Sequence, residues 1–188
     1  MSCSHCVRGF PLPGEPKGVL RSDLMLDVYL ASPNPSSEQW KPSSRAVLLA
    51  DRFSQELGCD VWVPNCFDHN YCWGGSMLYH IAQTHAIESA VIVHPGGYKD
   101  EQLRAIRMPV SWALAEDCDY IKQKQIDNAE AIFAARKGKE NFVEYEFKVY
   151  PGTAHGFAAR PNLALPAIKE GFERAFEQAV NWFKKTLF

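Results

Sequence analysis

The stretch Tyr71-Cys72-Trp73-Gly74-Gly75-Ser76 limits what this chain can fold into more than any other. A cysteine followed by an aromatic residue and two glycines has the form of a sharp turn. In such a turn a strand ends, reverses and enters a helix with a nucleophile at the apex. The apex residue is held in a strained backbone conformation, and only residues without a bulky β-carbon substituent let strand and helix come that close. Gly74 and Gly75 meet that need after the cysteine, whereas Asn70, two positions before it, is bulkier than the small residue usual there. A helix expected from Gly74 to Thr84 points its positive N-terminal end at Cys72 and favours a thiolate. Cys72 is therefore the candidate nucleophile. For Cys59, Cys66 and Cys118 the ordinary fate of a free cysteine, inert packing, is expected.

Around this turn the hydrophobic pattern alternates between strand and helix. Leu24 to Ala31, Asp60 to Pro64, Ser89 to His94 and Val110 to Ala115 read as strands. Ser43 or Ser44 can cap a helix running to Leu57, with Gly58 as its stop. Met77, Leu78 and Ile81 are expected to face inward from the helix behind the turn. A short helix is expected from Asp100 to Ile106, and Ile126, Ala129 and Phe133 recur at helical spacing. Val143, Tyr145, Phe147 and Val149 alternate with Glu144, Glu146 and Lys148, which predicts one buried and one wet strand face. The last helix starts near Pro166 and is expected to bury Ile168, Phe172, Phe176, Ala179, Phe183 and Leu187. Strands alternating with helices predict an α/β fold with a mostly parallel sheet flanked by helices.

Two further motifs accompany the turn. Asp117 and Asp119 follow the run Val110-Ser111-Trp112-Ala113-Leu114-Ala115, and His155 sits in Gly152-Thr153-Ala154-His155-Gly156-Phe157. Nucleophile, acid and histidine in that order match the α/β-hydrolase triad. The combination Tyr-Cys-Trp-Gly-Gly, Ala-Glu-Asp-Cys-Asp and Gly-Thr-Ala-His-Gly-Phe-Ala-Ala-Arg-Pro resembles the dienelactone hydrolase family. The opening Met1-Ser2-Cys3-Ser4-His5-Cys6 and the tail Phe176 to Lys185 are similar to its fungal branch. The resemblance implies hydrolysis of a small lactone or ester, by thiolate attack that leaves an acyl-enzyme for water to resolve. His155 is the expected base. Its acid is Asp119 or Asp117; Asp119 is preferred, since Asp117 and Glu116 can form a solvated strand end. The backbone N–H of Trp73 is the expected oxyanion donor. Arg160 resembles a ligand for the substrate carboxylate, with a plain surface arginine as the equal alternative. No cofactor and no metal are implied. Cys3 and Cys6 lack the second ligand pair that a structural zinc needs. A papain-like protease is disfavoured by the glycine pair after Trp73.

The chain also departs from the family. Relatives carry a hydrophobic strand and a glycine-bearing acidic loop before the helix at Ser44, but here Pro42 runs straight into Ser43-Ser44-Arg45. Only Asn65 to Asn70 separates the Val-Pro strand from the turn, too short for the segment expected there. Two internal stretches look deleted, which makes the expected architecture a shortened α/β-hydrolase fold. The alternative function is a catalytically impaired, hydrolase-like protein that at most binds a small ligand.

Length and composition narrow the remaining possibilities. At 188 residues the chain is expected to form one domain over 1–188, with residues 1–20 as an irregular arm. A net charge of −2 gives no reason to expect a nucleic acid or an anionic membrane as partner. No apolar run approaches the ~18–20 residues that span a bilayer. Without an apolar leader, the six cysteines are expected as reduced thiols of a cytoplasmic protein. The expected partner is a small lactone or ester alone, and the oligomeric state is left open.

Overall fold

A computed structural model of the chain describes residues 15, 17–21, 28–31, 52–64, 78–159 and 161–188. The chain divides into two compact units, residues 10–69 and residues 70–188 together with 1–9.

In the first unit, β1 (Val19–Arg21), β2 (Val28–Ala31) and β3 (Val61–Pro64) form an antiparallel sheet in that order. Val19 faces Leu30, and Val28 faces Pro64. The strands expected to end at Ala31 and Pro64 are both present, in an antiparallel pairing the hydrophobic pattern did not specify. Residues 52–57 are helical, and Gly58 at φ 67° ends that helix with its N–H on the Ser54 carbonyl at 2.9 Å. This left-handed position is one that glycine adopts without steric cost.

The second unit is built on a parallel sheet. Residues 78–81 are helical and lead to β4 (Ala90–Val93), followed by α1 (Asp100–Arg104) and β5 (Val110–Asp117). Then come α2 (Gln123–Ala134), β6 (Tyr145–Ala154) and α3 (Pro166–Leu187), which has a proline in its first turn. The strands pair in the order β4-β5-β6, with Ala90 opposite Val110 and Val110 opposite Tyr145. Each helix between strands starts with a reciprocal contact. The backbone N–H of Lys99 donates to the Gln102 side chain, and that of Lys122 to the Gln125 side chain, both at 2.8 Å.

Parallel strands are normally covered on both faces, and β5 is buried from Val110 through Ala115. On one face Trp112 stacks on Phe147 at 5.1 Å and on Tyr79 at 5.8 Å, with Phe133 of α2 edge-on at 6.4 Å. On the other face lies a polar cluster under α3. The Gln178 amide nitrogen stands 2.7 Å from Ser111 Oγ, 2.9 Å from Glu146 Oε1 and 3.2 Å from the Trp112 carbonyl. The Tyr150 hydroxyl donates to Gln178 Oε1 at 2.7 Å.

Glu144 and Lys148 are exposed as expected, but this cluster corrects the expectation at Glu146. Glu146 is partly buried, because a glutamine thirty-two residues away reaches down from α3 to meet it. Burial alone would raise the Glu146 pKa. Hydrogen bonds from Lys148, Ser111 and Gln178 outweigh that and hold it below the ordinary 4.5. A carboxylate with a lowered folded pKa contributes stability that is present above the unfolded value and lost as pH falls through the folded one. The urea midpoint is therefore expected to drop on acidification below pH 4.5, and to drop less in Glu146→Gln. Equal drops in the two proteins would show that Glu146 carries no such linkage.

Two inward faces also differ from expectation. Behind the turn, Leu78 packs half-buried against the core as expected, but Ile81 is exposed while Tyr79 and Ala82 are fully buried; Met77 lies outside the described residues. In α3, Phe172, Phe176 and Ala179 are buried as expected and Ile168 and Phe183 half-buried, but Leu187 is exposed, and Trp182 is buried although not expected to be.

The same helix passes very close to β6 at Gly171. A Cβ built there would stand 2.5 Å from Thr153 Cγ2. Gly171→Ala gains up to about 1 kcal/mol of helix propensity, but the overlap costs about 1–3 kcal/mol. A net fall in melting temperature is expected by thermal denaturation, and a rise would mean that Thr153 yields freely.

Candidate active site

Three adjacent parallel strands end at one edge of the second unit, and each delivers a group with chemistry. In open α/β sheets ligands bind outside the carboxyl ends of the strands. His94 follows β4, the segment 117–119 closes β5, and His155 follows β6. The ends of β5 and β6 are tied together across a register shift between Ala115 and Asp117, where the His155 N–H donates to the Asp117 carbonyl at 3.0 Å. The Gly152 N–H donates to Glu116 Oε2 at 2.8 Å, which holds the approach to the histidine turn.

The His155 ring is buried at 7% exposure, despite lying in a turn. Edge-to-face contacts at 5.1 Å place it against both Tyr120 and His94. His94 is itself buried and adopts φ 33°, a positive φ uncommon for any residue other than glycine. Such strain clusters at functional sites. Phe157 lies edge-on to His94 at 5.9 Å and closes the apolar surround.

His155 Nδ1 is met at 3.4 Å by the sulfur of Cys118, a residue that sequence reasoning assigned to inert packing. Cys118 is buried at 4% exposure, beside a crevice lined by His94, Pro95, Leu114, Ala115, Ile121 and Ile126 that is too narrow for a water molecule. One signal was available in the sequence. Cys118 stands between the two candidate acids, immediately beyond the buried strand, and so at the same sheet edge as the histidine.

The carboxylates of Asp117 and Asp119 lie elsewhere. Their side chains are 82% and 81% exposed, and each stands 3.9 Å from Lys122 Nζ. The structure thus brings the backbone of Asp117 to His155 while both carboxylates face the lysine. Cys72, Trp73 and Arg160 lie outside the described residues, as do Cys3 and Cys6. Among the described residues, no three His, Cys, Asp or Glu side chains stand close enough to share a metal ion, and no helix is long and apolar enough to cross a membrane.

Comparison with solved structures bears on the fold. A Klebsiella pneumoniae protein assigned as a dienelactone hydrolase superposes with a TM-score of 0.50 at 18% identity, over 76% of this chain and 62% of that one. An alpha-beta serine hydrolase homologue from Coxiella burnetii gives a TM-score of 0.50 at 10% identity, covering 89% and 99% of the two chains. The fold is that of the α/β-hydrolases. Among curated proteins, hydrolase pyvD of Aspergillus violaceofuscus is 25% identical over 117 residues, 62% of this chain and 46% of its own length. The human carboxymethylenebutenolidase homolog is 28% identical over 118 residues, with 61% and 46% covered. The chain spans about half the length of the curated relatives it matches.

The family model of dienelactone hydrolases matches residues 69–187. That span opens three residues before Cys72, takes in the β5 edge and His155, and closes within α3, so all the chemistry gathered at this sheet edge falls inside it, and the chain belongs to the dienelactone hydrolase family.

Proposed function

We propose that the chain is a hydrolase of small esters or lactones, with Cys72 as nucleophile and His155 as its general base. The observation that carries this reading is the setting of His155, a buried imidazole on a tight turn at the carboxyl edge of a parallel sheet. Family membership and the small-substrate names of the relatives support the same reaction class.

In the proposed reaction, the Cys72 thiol gives its proton to His155 and the sulfur attacks the substrate carbonyl. The N–H of Trp73 donates to the oxyanion as it forms. His155 then hands the proton to the departing oxygen, leaving a thioester on Cys72. Water, deprotonated by the same imidazole, attacks that thioester and releases the acid. A group from the 117–119 segment holds the other ring nitrogen of the imidazole, Nδ1, with Asp119 or Asp117 as the assignment that the family pattern suggests. Arg160 pairs with a carboxylate on the substrate. No step draws on a metal or an organic cofactor.

The reading is tested by the rate of thiol alkylation against pH in the folded protein, wild type beside Cys72→Ala. One fast thiol is expected, with an apparent pKa well below the ~8.5 of free cysteine, and it should vanish in the variant. Uniformly slow thiols, together with no turnover of small esters or lactones, would end the proposal.

A further inference from the structure

We infer that Cys118 is the positioning residue for His155, its sulfur accepting the Nδ1 proton in the place where a triad carries a carboxylate. The inference rests on the reading of His155 as general base and adds the group that sets its tautomer.

The geometry is specific. Sγ and Nδ1 are 3.4 Å apart, a hydrogen-bonding distance for sulfur, and both partners are buried. Neither candidate carboxylate competes on the same terms, since both stand over Lys122 with their side chains mostly in water. Two aromatic rings also face it, His94 from the end of β4 and Tyr120 from the loop after β5. Cys118 is also fixed in place, because it follows β5 directly and borders a crevice that excludes water. A polar contact that excludes water gains strength from the low local dielectric.

The chemical consequence concerns a single proton. A neutral imidazole carries one N–H, and whichever nitrogen holds it cannot accept another there. With sulfur as acceptor, the proton sits on Nδ1, and Nε2 keeps the lone pair that a general base needs. With the proton on Nε2, that lone pair is gone and the ring is inactive as a base at that atom. A thiol is a weak acceptor compared with a carboxylate, so the hold on the tautomer is lighter than in a triad with an acid.

The test reads the tautomer directly, from nitrogen NMR of uniformly labelled protein with His155 assigned by its substitution. Wild type, Asp117→Asn and Asp119→Asn are expected to hold His155 with the proton on Nδ1. Cys118→Ser, which keeps an acceptor of similar size, should do the same. Cys118→Ala should lose that preference, and on a small ester its kcat should fall about tenfold or more with KM little changed. A wild-type ring protonated on Nε2 overturns the inference with no variant needed. So does a Cys118→Ala protein that retains the wild-type tautomer, or an Asp119→Asn protein that loses it. Because the NMR signature needs no turnover, failure of the proposed hydrolysis and failure of this pairing are separately visible.

Discussion

Cys72→Ala is expected to lose hydrolysis of small esters and lactones by about 10³-fold or more, while its urea midpoint stays within error of wild type. The size follows from what is removed. The proposed reaction forms and breaks a bond to this sulfur, so no weakened version of the same route remains, and nucleophile substitutions routinely show effects of this order. Cys72→Ser tests the point from another side. A hydroxyl keeps the shape but is far harder to deprotonate than a thiol, so its rate should also collapse. The contrast with Cys118→Ala is diagnostic, because a positioning group costs a modest factor and a nucleophile nearly all of the activity. Wild-type turnover in Cys72→Ala would move the chemistry off this residue altogether.

Trp112→Ala should cost the most stability of any single substitution in the second unit. The indole is fully buried between Phe147 and Tyr79, with Phe133 and Tyr98 edge-on. Truncating a buried tryptophan to alanine typically costs about 3–5 kcal/mol. The ring geometry here adds to that, since favourable aromatic pairs contribute about 0.5–1.5 kcal/mol beyond burial. Against a total stability on the order of 5–15 kcal/mol, such a loss is a large fraction of the whole and lowers the urea midpoint markedly. Urea denaturation followed by circular dichroism measures it, and a loss under about 1 kcal/mol would mean that the neighbouring rings close the gap. Trp112→Phe, which keeps a ring in the stack, should recover much of the difference.

How much of this could be read from the chain depends on how far apart the partners lie. The strands of the parallel sheet were legible because their apolar runs are local, as in Val110 to Ala115, whose uninterrupted burial on both faces is what such a run implies. The start of the last helix was legible through Pro166. His155 was placed correctly on a turn after a strand, since glycines and a strand pattern flank it directly. What escaped were pairings made across the fold. The alternation of Glu144, Glu146 and Lys148 looks solvated until Gln178 arrives from α3 to claim Glu146. Cys118 looks like filler until β6 brings His155 to its side, thirty-seven residues later in the chain. Tyr79 is buried while Ile81 is exposed, because the tyrosine ring stacks on Trp112, a partner that periodicity cannot name. The acid was the hardest to assign. Two aspartates two residues apart share the same local signal, and both turn their carboxylates to Lys122.

One feature of β5 divides the strand into two regimes. From Val110 to Ala115 every side chain is enclosed, and at Glu116 the strand emerges into water within a single step. Below that step a substitution is judged by volume, and at Ser111 also by the hydrogen bonds it makes to Glu146 and Gln178. Above it, residues 116–119 are released from packing and answer only to what they present at the sheet edge, Cys118 excepted. A lineage can therefore rewrite the exposed side chains at the tip of this strand, Glu116, Asp117 and Asp119, without disturbing the stem that holds it. The same few ångströms that anchor the second unit also leave its chemistry free to change.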